Sequence, residues 1–381
     1  MNGCGTARRS SRQVEVKSAA AMRGTRLTEE VAQNPEWVEA RWVLVRNTVA
    51  RTCCVCAPSR VRLPPETLRF TTAGRSACSA RQLVASTYYC QLVTELLVPS
   101  PAATVVVLRD GATGLEVFMV RRHEGSSFMG GAHVFPGGRV DPADRDSADE
   151  QWCDGINAAA RRLDDLAPAD AVAFHVAAAR ELFEEAGVLL ARDSTGPFVS
   201  LAGDEVHERF KASRADVHSA LRSLRQIIEQ EHLRLALDAL VPFAHWITPP
   251  EESRRFDTRF FLTRAPANQT PAHDETETTE SAWISPSAAI ALCRREEIRL
   301  PIPTWTTLRE LEPFTSVDDA LEWARRRRIV ARESRLLQHD GQAMYVIPGD
   351  PLEPEPWHEE VPQETRFVFE KGGWRARRVD D

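Results

Sequence analysis

Apolar residues run almost unbroken through Ala103-Thr104-Val105-Val106-Val107-Leu108, and a second run follows at Leu115-Glu116-Val117-Phe118-Met119-Val120. Asp110-Gly111 stands between them, so two runs of strand length around an Asp-Gly turn predict a hairpin. The period then lengthens. Residues 157–166 show a helical spacing that Pro168 should break, and a longer helix is predicted from Asp170 to Ala186. Charged residues alternate with Leu, Ile and Ala over 204–240, which predicts one or two further helices. Val241–Trp246 and Phe256–Leu262 read as strands separated by a Pro249-Pro250 turn, and Pro286-Ser287 opens a helix through Cys293. One more strand is expected at Arg366–Glu370, and no segment repeats.

Composition changes this picture at the two ends. Residues 1–94 hold 14 Lys and Arg against 6 Glu and no Asp, whereas the rest holds 34 against 49, net charges of +8 and −15. Such an acidic main part disfavours general nucleic-acid binding and suits recruitment of divalent cations. Six of the eight cysteines lie in the first 90 residues, including Cys53-Cys54-Val55-Cys56. A zinc reading fails there, because no His precedes His123 and no second paired-cysteine knuckle follows. The opening is Arg- and Ser-rich like a transit peptide, yet long for one and without amphipathic period. The expected layout is a poorly ordered extension at 1–97, a folded domain at 98–350 and an acidic, Pro-rich tail at 351–381. No apolar run is long enough to span a bilayer, and Val379-Asp380-Asp381 is unlike a Ser-Lys-Leu peroxisomal address. The default expectation for location is cytoplasmic. Oligomeric state is not legible.

Candidate chemistry concentrates in Arg180-Glu181-Leu182-Phe183-Glu184-Glu185-Ala186-Gly187-Val188. On a helix Glu185 lies about 40° and Glu184 about 60° from Glu181, on either side of it. Three carboxylates so close repel, which raises their pKa values unless a cation sits among them. Hard oxygens on one rigid face suit Mg²⁺ or Mn²⁺. Arg180, four residues before Glu184, can hold that carboxylate, and Gly187 reads as the helix stop. Upstream, Gly130-Gly131 and Phe135-Pro136-Gly137-Gly138 free the backbone for a loop that approaches phosphate.

These residues resemble the Nudix box: a Gly, five residues, a Glu, seven residues, then Arg-Glu-apolar-x-Glu-Glu-x-Gly-apolar. Arg180 to Val188 meet every fixed position of the second half. In the first half Gly138 matches, Asp144 stands for the Glu, and 35 residues stand where seven are usual. An insert at this place, about 145–170, resembles a Nudix subgroup that includes the mammalian peroxisomal acyl-coenzyme A diphosphatase. The likeness runs through Phe128-Met129, Gly131–Phe135, Asp141–Asp144, Arg254–Thr258, Trp283–Ser287, Leu300-Pro301 and Pro348–Asp350, covering roughly 98 to 355.

The resemblance implies an α+β fold, a Nudix α/β/α sandwich with a mixed sheet, the insert and added helices. It implies metal-dependent cleavage of a diphosphate joining a nucleoside to another moiety. Glu181 and Glu185 are the first expected ligands of Mg²⁺ or Mn²⁺, Glu184 the third, with the Gly138 carbonyl beside them. The general base stays open among Glu181, Glu277 and Glu280, and Asp144 is expected to buttress the loop. Nudix coenzyme A pyrophosphatases carry an Arg thirteen residues and a Gly four residues before the Phe of Phe-Pro-Gly-Gly, and Arg122 and Gly131 match. A second signature Arg is replaced by Ser127. Arg122, with Gly137 and Gly138, is therefore the expected substrate contact, Arg122 at the 3′-phosphate of coenzyme A. Arg254 and Arg255 would serve phosphate or flank the turn. The implied substrate is a nucleotide-type small molecule, coenzyme A or an acyl thioester of it. ADP-ribose, a dinucleotide or a capped RNA end remains an alternative, as does a non-hydrolytic nucleotide sensor.

Overall fold

The structure is a computed structural model that describes residues 98–126, 129–146, 149–274, 276–339, 341–353, 364–370 and 373–379. The extension expected at 1–97, and Ser127 and Phe128, lie outside the described residues.

Strands β1 (Ser100–Gly111) and β2 (Gly114–Arg122) form the expected hairpin. The short β3 (His133–Val134) and β4 (Gly137–Arg139) lie on β2 and β1 respectively. The loop after β4 enters a short helix α1 (Pro142–Asp146), and the insert that follows carries β5 (Cys153–Asp154) and α2 (Ile156–Arg162). The box helix α3 (Pro168–Ala186) follows, then β6 (Ala191–Arg192), α4 (Asp204–His218), α5 (Leu224–Gln230) and β7 (Arg234–Ala236). β8 (Val241–Ile247), β9 (Phe256–Arg264) and β10 (Thr278–Ile284) return to the main sheet, whose order is β10-β2-β1-β9-β8-β11, with β11 at Ala331–Glu333. β9 runs parallel to β1 and β11 parallel to β8, while the other pairings are antiparallel, so the sheet is mixed.

Alternation along the strands gives this sheet two buried faces. Val105 and Val107 of β1, with Phe118 and Val120 of β2, pack against α3. Val106, Leu108, Val117 and Met119 face α6 (Pro286–Arg294), α7 (Ile302–Leu311) and α8 (Val317–Arg326) on the other side. Each large apolar side chain so enclosed contributes about 1.5–3 kcal/mol. The result is the α/β/α sandwich that the resemblance implies. No helix among the described residues is long and apolar enough to cross a membrane.

Pro168 starts α3 instead of breaking the chain before it. It occupies the first turn, where its missing N–H has no partner to lose. Ala171 to Ala179 are buried without a break, so α3 is an enclosed helix and not a solvated acidic one. The insert that precedes it is pinned to the sheet. Arg259 on β9, 2% exposed, donates from both terminal nitrogens to Asp165 at 2.9 and 2.7 Å.

The C-terminal stretch carries more structure than the single strand expected at Arg366–Glu370. β12 (Arg335–His339), β13 (Gln342–Val346), β14 (Glu364–Glu370) and β15 (Gly373–Arg378) form an antiparallel sheet, and Tyr345, Ile347 and Phe367 join the core beneath α6 and α7.

Candidate active site

Register brings the glycine loop to the box helix. Ala103 of β1 pairs with Gly138 and Thr104 with Gly137, and β1 itself packs under α3. The Gly137 N–H thereby donates to Glu185 Oε2 at 2.8 Å. A methyl group on Gly138 would fall 2.4 Å from a Glu181 carboxylate oxygen, so a larger residue here would have to displace that carboxylate.

Arg180 organises the rest. Its guanidinium donates to both oxygens of Asp144, each at 2.9 Å, and to Glu181 Oε1 and Glu184 Oε1, also at 2.9 Å. It reaches the Arg139 carbonyl at 2.8 Å as well. Asp144 is 3% exposed and accepts from the Asp141 N–H, so it buttresses the loop as expected of the shorter acid. One guanidinium thus ties the glycine loop, the turn into the insert and two carboxylates of the box helix together.

Acid outnumbers base in this buried place. Burial raises Glu181 to about 7, with Glu184 and Asp144 adding to the rise and Arg180 opposing it. Burial also lifts Glu185 well above the ordinary carboxylate range, helped by Glu181 and Glu277 and resisted by the Gly137 N–H and Arg122. Among the described residues no three acidic, His or Cys side chains converge on one point where an ion would sit. The reason lies in the partners: Glu181 and Glu184 turn to Arg180, and Glu185 to the Gly137 N–H. The donor set itself fits a hard dication. It offers carboxylate oxygens on one helix face, enclosed and short of positive charge.

The structure separates the candidates for a general base. Glu277 stands close enough to Glu185 to raise its pKa, and its carbonyl accepts from the His123 N–H at the end of β2. Glu280 is not at the box. It pairs in register with Arg121 and binds it at 2.8 Å, on the sheet face that Ile284 and Met119 share, away from α3. Arg122, the next residue on β2, faces the box: its charge lowers the pKa of Glu185, Nη2 donates to Ser126 at 3.1 Å, and its buried Nε has no partner among the described residues. Arg255 flanks its turn, binding the Thr248 carbonyl and Glu333. Sequence reasoning missed Arg214 and Asp274, which bind the end of the box helix and organise the stretch before β10. Asp274 left one legible sign, an Asp four residues before a Thr that shares its turn.

A mixed sheet with an enclosed Arg-Glu-x-x-Glu-Glu helix set against a Gly-Gly strand end defines a Nudix hydrolase. Residues 155–311 match the family model described as the NUDT19 Nudix domain. The chain is 32% identical over 287 residues to human acyl-coenzyme A diphosphatase NUDT19, an alignment covering 63% of this chain and 73% of that protein. It is 29% identical to the chicken protein of the same name, over 64% and 74% of the two lengths. A crystal structure of a Nudix hydrolase from Alicyclobacillus acidocaldarius shares 28% identity and a TM-score of 0.50, covering 60% of this chain and 97% of that one. The chain belongs to the Nudix hydrolases, in the subgroup that resembles NUDT19, and is a pyrophosphatase of that family.

Proposed function

We propose that this enzyme hydrolyses coenzyme A and its acyl thioesters to 3′,5′-ADP and (acyl-)4′-phosphopantetheine. The observation that carries the proposal is Arg122, whose buried Nε finds no partner among the described residues and which lies beside a complete set of box carboxylates. Relatives named acyl-coenzyme A diphosphatase support the same reading.

Glu181, Glu184 and Glu185 would hold Mg²⁺ or Mn²⁺, which neutralises the diphosphate and lowers the pKa of the attacking water. The chain's own residues do the rest. The Gly137-Gly138 backbone sets the wall against which Glu181 and Glu185 are ordered. Arg180 keeps Glu181 and Glu184 on one side of the helix through a buried fork. Glu181 or Glu277 takes the proton from water, since these are the two candidate bases that stand at the box. Arg122 meets the 3′-phosphate and so selects coenzyme A. The acyl end lies outside every one of these contacts, which is why thioesters should be accepted.

The test sets purified protein with Mg²⁺ or Mn²⁺ against coenzyme A, acyl-coenzyme A, 3′-dephospho-coenzyme A, ADP-ribose and NADH. Coenzyme A and its thioesters should be cleaved best. Arg122→Ala should cost about 1.5–3 kcal/mol in kcat/KM on coenzyme A and much less on the 3′-dephospho form. Equal losses on both remove Arg122 from recognition, and better use of ADP-ribose or NADH would overturn the substrate assignment.

A further inference from the structure

Helix α4 lies outside the Nudix box in sequence, yet one of its side chains reaches the box's last turn. Arg214 donates from Nε to the Glu184 carbonyl at 2.8 Å and from Nη2 to the Ala272 carbonyl at 3.0 Å. Its acidic neighbours are Asp274 and Glu185. Helix C-terminal carbonyls have no intrahelical partner, so a cation there satisfies an acceptor and complements the helix dipole. Gly187 leaves the room: it ends α3 at φ 67°, and a methyl group on it would come within 3.1 Å of Arg214 Nη1.

The second acceptor gives this contact its meaning. Ala272 also donates its N–H to the Ala186 carbonyl at 3.0 Å, so the approach to β10 is stitched to the box helix at two adjacent points. From there Asp274 gathers the next stretch. Its Oδ1 accepts from the N–H groups of Thr276 and Glu277, each at 3.1 Å, and from the N–H and hydroxyl of Thr278, each at 2.9 Å. The far side is fixed by the His123 N–H on the Glu277 carbonyl at 2.9 Å. Glu277 therefore sits in a short frame whose one end is the box helix and whose other end is β2, next to Arg122.

We propose that Arg214 is a positioning residue: it clamps the Glu277-bearing stretch to the last turn of the box helix and so holds Glu277 beside Glu185. The inference rests on the diphosphatase reading above. It deepens that reading by giving a helix outside the box a part in the reaction. Arg222, which binds Asp216, Ser213 and Gln230 on α4 and α5 without touching the box, is the control for mere loosening of α4.

Kinetics of Arg214→Ala, Arg214→Lys, Arg222→Ala, Glu277→Gln and the Arg214→Ala/Glu277→Gln double variant test it. Arg214→Ala should lower kcat about 10- to 100-fold with KM within about threefold, because misplacing a reacting group by an ångström has that size of effect. Lys can reach one carbonyl but not both, so Arg214→Lys should fall between. In the Glu277→Gln background Arg214→Ala should add less than about twofold, the mark of two residues acting through one step. Arg222→Ala should stay within about twofold of wild type. Amide hydrogen exchange at Thr276, Glu277 and Thr278 should quicken in Arg214→Ala and Arg214→Lys but not in Arg222→Ala. Additive losses, an unchanged kcat, or unchanged protection of these amides would each overturn the proposal. Should Arg214→Ala fail to fold, Arg214→Lys decides by the same two readouts. If wild type cleaves none of the substrates, the diphosphatase reading falls, while hydrogen exchange still decides whether Arg214 holds the Glu277 stretch.

Discussion

Arg121 and Arg122 are neighbours on β2 and face opposite sides of the same sheet, and each opens onto a cluster of charge. On Arg121's side the guanidinium pairs with Glu124 and Glu280, and Arg299 pairs with Glu124 in turn. Arg121, Glu280 and Arg299 border a polar cavity of about 380 Å³, with His133 and Arg375 also in its wall. On Arg122's side Arg180 serves Asp144, Glu181 and Glu184, with Glu185 next to them. The first cluster is half open to water and carries acids and bases in similar number. The second is buried and has too little positive charge. Counting ion pairs would make the two faces look alike. Burial and imbalance distinguish them, because a solvated pair relaxes into water while an enclosed excess of carboxylate waits for a cation.

The largest expected contrast is in turnover. Glu185→Gln should reduce kcat/KM by at least about 10³-fold at saturating Mg²⁺, since it would remove one of the carboxylates proposed to hold the metal while Gln keeps the helix. Glu280→Gln, on the other face, should change it by about twofold or less. Steady-state assays on coenzyme A measure both. A Glu280→Gln variant as crippled as Glu185→Gln would erase the distinction between the faces.

Stability gives the next contrast. Arg180→Ala leaves three carboxylates without their shared partner in a place 13% exposed at the arginine, so it should cost about 3–5 kcal/mol. Arg121→Ala should leave the urea midpoint where it was, its partners being open to water. Equal shifts at constant slope in urea unfolding would show that burial does not govern the two networks.

How far the sequence alone reached follows from which contacts are local. The β1–β2 hairpin, α3 and the Glu181, Glu184, Glu185 face were legible because period and spacing settle them within a few residues. The start of α3 was expected two residues late, at Asp170, because the same proline either breaks a helix or begins one. Glu277 and Glu280 could not be told apart, since the register slips between Thr278 and Glu280. Thr278 pairs with Arg122, whereas Glu280 pairs with Arg121 on the other face. Arg214 and Arg259 left no sign at all. Each works across a long sequence gap, and nothing in the local chain marks an arginine that will find a distant carbonyl or carboxylate.

The smallest contrast is in pH, and it has opposite signs at two buried groups of α3. Glu181 has its pKa raised from 4.5 to about 7 by burial, so the fold favours its protonated form. Its contribution to stability is therefore full below pH 4.5 and is lost as pH rises through 7. His175, fully enclosed and bonded through Nδ1 to the Ala171 carbonyl, has its pKa lowered from 6.5 to about 4 by burial. Its contribution is full above pH 6.5 and is lost as pH falls through 4. Between 4.5 and 6.5 the two slopes offset each other, and above 6.5 Glu181 acts without that opposition. In metal-free protein Glu181's own contribution should thus fall by up to about 3 kcal/mol between pH 5 and 8, offset below 6.5 by His175, so the comparison with Glu181→Gln isolates it. Urea unfolding in EDTA should show Glu181→Gln losing less than wild type over that range. Adding Mg²⁺ at pH 8 should restore wild type, because a dication supplies the charge the pocket lacks, and should restore Glu181→Gln less. Identical pH profiles for the two proteins without metal would mean that the box face carries no stored carboxylate repulsion, and its difference from the Arg121 face would then rest on chemistry alone.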